Sequence, residues 1–323
     1  MRAFIQEKYG TSSDIQLKEI ATPQPKENEV LIKIYATTIN DYDWSIMRGK
    51  PYLYRLIFGL FKPKTKIAGM ELAGVVEAVG NNVSLLKVGD KVYGDTSDFG
   101  FGTFAEYICI NEKAVVLKPH SMSFEQAAAL PHASILAAQS LLDKGKIKKG
   151  QRILINGAGG GVGTLALQIA KLYDTEVTGV DTGDKLATMK SLGYDYVLDY
   201  KKVDFTKSDE EYDLIIDPKT NRNPFRYARV LKKQGKYITV GGTPLRLIQI
   251  LFLSPLIRLL LKRKVSILAL KPNKGLDYIN QLFEEGKLKP IIDGPHEFEK
   301  IPQLIDYFGA GLHTGKIVIT VSK

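Results

Sequence analysis

RILINGAGGGVGTLALQIA, Arg152 to Ala170, begins as a strand and ends as a helix. The β-type run closes at Asn156, and helical spacing of apolar residues starts near Val162. Between them lies Gly157-Ala158-Gly159-Gly160-Gly161-Val162-Gly163. A dinucleotide-binding turn needs a small residue for the tight bend, a second where a pyrophosphate meets the backbone, and a third where helix meets strand. Ala158, Gly160 and Gly163 stand at those spacings, with alanine in the first place. Gly161 and Val162 would open the helix, whose free N–H groups and positive dipole end suit phosphate. A glycine cluster alone could be a flexible turn; the strand before it and the helix after it favour the phosphate cradle.

The next strand, in EVTGVDTGDK, ends at Asp181. A carboxylate there can accept hydrogen bonds from the adenosine ribose and repel a 2′-phosphate, which favours NADH over NADPH. Asp184 adds to the repulsion and Lys185 offsets it. Alternatively, Asp181 simply caps the following helix. The cofactor expected is therefore NADPH or NADH, leaning to NADH.

Outward from this turn the chain alternates strand and helix. EVTGV leads to DKLATMKSLG, then come YVLDY, YDLIID, a helix through YARVLKKQG, and KYITVGG, with a sixth strand in KVSILAL. That order implies parallel βαβ units in a doubly wound sheet. Gly241 and Gly242 end the fifth strand, where backbone can approach a nicotinamide. Upstream, VLIKIYATTI, ELAGVVEAVG and KVYGD are short β-type runs, with VGD and YGD as turn signals, which reads as a small β-barrel. Helical spacing begins near Ser123, and the chain returns to short strands ending in GKIVITV. The reading is a doubly wound α/β domain, residues 123–272, inserted into a β-rich substrate domain of residues 1–122 and 273–323.

The 323 residues carry a net charge of +10, with the basic residues spread along the chain and no recognised nucleic-acid module. No nucleic-acid partner is expected; the charge serves solubility and attracts an anionic cofactor. Cys109 is the single cysteine. No internal disulfide can form, which fits a reducing, cytoplasmic setting. MRAFIQEKYG carries no secretory signal pattern. The most apolar stretch, Leu245 to Leu261, contains Arg246, Pro255 and Arg258, which break it short of a bilayer span. It reads as a helix packed at a domain or subunit interface. The alternative is weak peripheral membrane contact, with Arg258, Lys262, Arg263 and Lys264 facing anionic lipid.

The segments GMELAGVVEAVG, VGDKVYGD, GTFAEYICI, the glycine turn, YVLDY and GLHTGKIVITV together resemble the medium-chain dehydrogenase/reductase superfamily. The chain is most similar to the zinc-independent quinone oxidoreductase branch. The resemblance covers nearly the whole chain. It implies a GroES-like β-barrel substrate domain, an inserted Rossmann domain, an active-site cleft and a homodimer. Zinc alcohol dehydrogenases of the superfamily place a Cys within the stretch that here reads TTINDYD and a His where Met70 stands. Neither ligand is present, and His120, His132, His296 and His313 have no metal-binding spacing and read as surface or loop histidines. No metal is expected.

Without a metal to polarise a carbonyl, the favoured acceptor is a quinone or an α,β-unsaturated carbonyl, which delocalises the incoming charge itself. The family's cleft-lining Asn-Pro-x-Asp corresponds to Asn40-Asp41-Tyr42-Asp43. By that resemblance Asn40 donates to the acceptor oxygen; alternatively Asn40 and Asp43 fix a turn. Tyr52 and Tyr54 form a candidate substrate lip, as proton donor or as packing. Tyr200 corresponds to a position stacking near the adenosine, or is a strand-end aromatic. Three positions depart from close relatives: Leu136 in place of Thr, Pro218-Lys219-Thr220 in place of a Val-Gly pair, and Asp181 in place of a small residue. These departures and the basic apolar stretch keep open a nucleotide-binding sensor or scaffold. A zinc-free alcohol dehydrogenase is the third reading.

Overall fold

The computed structural model describes residues 1–322. Fifteen strands follow in order: β1 (Arg2–Gln6), β2 (Ile15–Glu19), β3 (Glu29–Thr38), β4 (Glu71–Val79), β5 (Lys91–Asp95), β6 (Tyr107–Asn111), β7 (Val116–Leu117), β8 (Arg152–Asn156), β9 (Glu176–Asp181), β10 (Tyr196–Asp199), β11 (Tyr212–Asp217), β12 (Leu231–Thr239), β13 (Lys264–Ile267), β14 (Ile292–Glu297) and β15 (Lys316–Thr320). The chain divides into two compact units. One holds Met1–His132, Pro272–Asn280 and Ile292–Lys323; the other holds Ala133–Lys271 and Gln281–Ile291.

The first unit is built on a seven-stranded sheet ordered β14-β15-β3-β4-β5-β7, with β6 also paired to β3. β3 serves two neighbours along its length. Its start, Glu29 to Lys33, pairs with β6, and its end, Ala36 to Thr38, pairs with β15. Register shifts at Leu31/Ile32 and Ile34/Ala36 bend it against β4, as bulges do when a sheet must curve. Val30, Ile32, Ile34, Leu72, Val76 and Ile319 point inward to one core. Tyr93-Gly94-Asp95, expected to turn, is instead part of β5. Gly94 is needed there for close packing: a Cβ would lie 2.6 Å from the Ala114 carbonyl oxygen.

The second unit holds a six-stranded parallel sheet ordered β10-β9-β8-β11-β12-β13. The order reverses between β8 and β11, and such switch points open a crevice at the carboxyl ends of the strands. The interior residues of β8 and β11 are buried on both faces, which is why they read as unbroken apolar runs rather than alternating ones. The helix expected through YARVLKKQG is corrected: it covers only Pro224–Arg229, and Leu231–Thr239 is β12. Gln234 adopts φ 68° and the pairing with β11 shifts between Tyr212 and Leu214. A polar bulge there hid the strand's period. The helix Pro244–Leu261 runs unbroken through Pro255 and is by length and composition long and apolar enough to cross a membrane, which corrects the expectation that Arg246, Pro255 and Arg258 cut the stretch short of a span.

Candidate functional site

The residues singled out for a cofactor all lie at the carboxyl end of the parallel sheet. The turn after β8 carries Ala158, Gly160, Gly161, Val162 and Gly163; Asp181 ends β9; Tyr200 follows β10; Gly241 and Gly242 follow β12. Ala158 is fully buried, and Gly160, Gly161 and Val162 are partly open. A Cβ on Gly163 would lie 2.5 Å from the carbonyl oxygens of both Gly157 and Ala158. Only glycine lets the helix Gly161–Lys171 start so close to the strand. Its N-cap, Gly160, supplies no side-chain hydrogen bond to the first turn. The first-turn N–H groups therefore lack the usual cap, and this turn fits a diphosphate.

Asp181 is not idle in this arrangement. Its Oδ2 accepts from Gly159 N at 2.9 Å and its Oδ1 from Thr182 N at 2.8 Å, with Lys185 Nζ 3.7 Å from Oδ1. Both side chains are buried. Asp181 thus ties the glycine turn to the next strand, and Lys185 balances its charge. Tyr200 is exposed, and its N–H donates to the Asp181 carbonyl oxygen at 3.1 Å.

Across the switch point stands a polar network not singled out from sequence. Asp217, wholly buried, accepts from Asn156 Nδ2 at 2.8 Å, Tyr237 Oη at 2.7 Å, and the N–H groups of Lys219 and Thr220 at 2.8 and 2.9 Å. Thr220 Oγ1 bonds Tyr237 Oη at 3.0 Å and also meets Thr239 Oγ1. Pro218-Lys219-Thr220 therefore braces β11 to β12. Gly242 packs on Thr220, where a Cβ would come within 2.5 Å of the threonine Cβ. Leu136 is buried in the helix Pro131–Ala138.

A second cluster lies in the first unit at one end of its sheet. Antiparallel register sets the end of β3 beside the starts of β4 and β15, and pairs Glu71 of β4 with Asp95 of β5. Four polar side chains are thereby gathered: Thr38, Glu71, Asp95 and Lys316. Glu71 is fully buried and Lys316 nearly so; the ammonium sits 2.5 Å from Glu71 Oε2 and donates to Asn40 Oδ1 at 2.5 Å. Glu71 Oε2 also accepts from Thr38 Oγ1 and from Asn40 Nδ2 at 2.7 Å, and Oε1 from His132 N at 2.6 Å. Asn40 Nδ2 reaches Thr38 Oγ1 at 3.2 Å as well. Both Asn40 amide hydrogens are committed within the cluster. Asp43 caps the helix Asp41–Arg48, accepting from Asn40 N at 2.8 Å and Gly69 N at 3.0 Å. Burial pushes its carboxyl up to about 7, against the pull of those N–H groups and of Lys316.

His132 Nδ1 lies 2.7 Å from Asp95 Oδ2. Its side chain is only 11% exposed. His132 sits in a helix, which corrects its reading as a surface or loop residue; His313 does lie in a loop but is buried, stacked on Phe308. Burial opposes both charges of the His132–Asp95 pair, yet their mutual bond and attraction win: Asp95 is held below the usual carboxylate range and His132 above the usual imidazole range. The stability that Asp95 supplies is present above its unfolded value and lost as pH falls through the depressed one. His132's share is full below about pH 6.5 and is lost as pH rises through its raised value. Thermal melts of wild type and His132→Gln should therefore differ most near pH 6 and converge towards pH 9; a gap independent of pH would refute the charged pair.

Aromatic rings line the ground beside His132. Tyr42 lies 6.3 Å from the His132 ring and 6.2 to 6.4 Å from Tyr54, Phe58 and Phe101. Burial, then the nearby Asp95, Asp41 and Asp98 charges, raise the Tyr42 hydroxyl's pKa, so it stays protonated. Tyr52 is 66% exposed and instead has the Arg55 guanidinium over its ring at 5.0 Å. Sequence reasoning thus reached Asn40 and Asp43, but passed over Lys316, Thr38, Asp95 and Tyr42. Strand register gathers Lys316, Thr38 and Asp95, and the helix Asp41–Arg48 adds Tyr42.

Two sequence profiles match the chain: an alcohol dehydrogenase GroES-like domain over residues 26–120, and a zinc-binding dehydrogenase over residues 192–319. A tomato (Solanum lycopersicum) protein, 2-methylene-furan-3-one reductase, is 34% identical over 99% of this chain and 79% of its own length. An Arabidopsis thaliana chloroplastic NADPH-dependent alkenal/one oxidoreductase is 31% identical over the same shares. The structure of the quinone oxidoreductase from Coxiella burnetii superposes with a TM-score of 0.86 at 26% identity, over 100% of this chain and 99% of that one. The chain belongs to the medium-chain dehydrogenase/reductase superfamily. Within it, the chain falls in the zinc-independent, quinone oxidoreductase-like branch. The name of the second profile refers to zinc, but the stretch TTINDYD holds no cysteine and Met70 is a poor zinc ligand. Among the described residues no three His, Cys, Asp or Glu side chains are grouped to hold a metal.

Proposed function

We propose that this chain is a reductase that uses NADH or NADPH to reduce quinones or α,β-unsaturated carbonyls. The observation that carries the reading is the uncapped turn Gly160–Val162 at the point where strand order reverses. The names of the three relatives share one chemistry, an oxygen conjugated to a carbon–carbon double bond. When bound, the dihydronicotinamide supplies hydride. The chain's own residues do the rest. The glycine turn holds the diphosphate through main-chain N–H groups, and Asp181 with Lys185 meets the ribose corner. Gly241 and Gly242 let backbone come close where side chains would intrude.

For the acceptor, the flat rings of Tyr42, Tyr54, Phe58 and Phe101 offer offset stacking to a planar conjugated molecule. The Tyr42 hydroxyl, kept protonated, is suited to donate a hydrogen bond or proton to an oxygen that gains charge. Asn40 and Asp43 act as positioning residues: they hold the start of the helix that carries Tyr42. The assembly proposed is a cytoplasmic homodimer, which sedimentation of the full chain measures.

The direct test is calorimetric titration with NADH and NADPH, then an acceptor panel of quinones, alkenals and simple ketones. Binding of either nucleotide with turnover of the conjugated acceptors alone is expected; no uptake of either would end the proposal. Because Lys185 already neutralises Asp181, NADPH is admitted alongside NADH. Lys185→Ala should weaken NADPH by roughly tenfold, the worth of one charge-assisted hydrogen bond, and NADH by less than about threefold. Equal losses would show that Lys185 only braces the turn.

A further inference from the structure

The helix Pro244–Leu261 is apolar on both sides. Ile250 and Ile257 are buried in the core beneath it, with Val265 of β13. On the opposite side Leu245, Ile248, Phe252, Leu256 and Leu259 recur at helical spacing and are 62%, 45%, 78%, 43% and 76% exposed. A mean hydropathy of 1.7 with 11% of the segment buried is out of place on a surface facing water. The Ile250 and Ile257 side of this helix is buried in the core of its own unit, and the opposite ridge is exposed in the chain.

Next to that ridge is a cavity of about 740 Å³ lined by Lys144, Lys236, Arg258, Lys262 and Lys264, together with Ser254 and Leu259. Among the described residues none of these five cations makes an ion pair with a carboxylate. Lys236 Nζ donates only to the Lys144 and Gly145 carbonyl oxygens, at 3.4 and 2.5 Å. Its pKa is lowered by burial and then by the charges of Lys264, Lys146 and Lys148. Between Pro244 and Lys264 there are five basic residues and no acidic one.

We propose that this face docks on an anionic lipid surface, with the ridge around Phe252 in the acyl boundary and a lipid phosphate in the lysine-lined cavity. The charge pattern selects this occupant. A two-fold pairing of the same face would bring like-charged cations of both copies together, and the adjacent Glu211 is already paired with Arg263. An anionic leaflet satisfies the ridge and the cations at once. The helix lies flat rather than spanning, because Ile250 and Ile257 anchor its other side to the sheet. The inference is independent of the reductase reading.

The test is co-sedimentation of the full chain with phosphatidylcholine vesicles, with and without phosphatidylglycerol. Binding is expected only to the anionic vesicles, and to be lost in high salt. Each basic residue near an anionic leaflet is worth about a fivefold gain in affinity. Lys236→Gln/Lys262→Gln/Lys264→Gln should therefore bind roughly a hundredfold less. Phe252→Asp/Leu259→Asp should also fail to bind, while retaining the circular dichroism and NADH or NADPH affinity of the parent. Inorganic phosphate at millimolar concentration should not displace the protein, because it offers nothing to the ridge. Absence of vesicle binding by the parent chain, or equal binding to neutral vesicles, overturns the proposal. So does a dimer that Phe252→Asp/Leu259→Asp dissociates while vesicle binding is unchanged, which would give the face to a second copy.

Discussion

Gly163→Ala should reduce affinity for both NADH and NADPH by roughly a hundredfold, because the helix start that meets the diphosphate would have to move. A methyl group there falls 2.5 Å from two carbonyl oxygens, both backbone, in a turn whose Ala158 is wholly buried. Neither oxygen can swing aside as a flexible side chain could. Relief requires shifting the helix Gly161–Lys171 away from β8, which withdraws the N–H groups of its first turn. Tyr194 adds to the constraint: its hydroxyl donates to the Ala158 and Gly163 carbonyls at 3.1 and 2.9 Å. Titration calorimetry measures the effect, with circular dichroism to show that the sheet persists. Undiminished binding in the variant would place the nucleotide elsewhere.

Lys316→Met should destabilise the chain by about 3–5 kcal/mol, the cost of leaving a buried carboxylate without its cation. Glu71 is fully buried and its Oε2 is the meeting point of Lys316, Asn40 and Thr38. The methionine fills most of the lysine stem's volume, so the loss reports charge rather than a hole. Lys316→Met/Glu71→Gln should regain at least half of it, since no net charge then stays buried. Urea titration of both variants at pH 7 measures the difference. A double variant no better than the single one would mean that packing, not charge, holds this corner together.

The parallel sheet and its nucleotide edge were legible because their signals are local. A strand, a glycine turn and a helix follow one another within Arg152 to Ala170, and Asp181 comes at the end of the very next strand. The polar cluster of the first unit was not legible in that way. Lys316 meets Glu71 across 245 positions of sequence. Nothing in GLHTGKIVITV marks its lysine as buried. Asp95 looked like a turn residue because Tyr93-Gly94-Asp95 has turn composition, and the reason for Gly94 lies in the distant Ala114 carbonyl. His132 follows Pro131 in a helix, and only the β4–β5 register reveals its carboxylate partner. Long-range register is what a linear reading lacks.

The position of β15 in that cluster bears on how the protein is made. β3, at the heart of the first unit, is flanked at its end by β15, which lies far downstream in sequence. During synthesis that flank stays bare, and Glu71 waits without its counter-ion, until residue 316 has left the ribosome. Every strand of the parallel sheet, by contrast, precedes residue 268. The first unit, begun before the parallel sheet, is thus completed after it, and nascent chains halted before β15 should be taken up by chaperones or degraded.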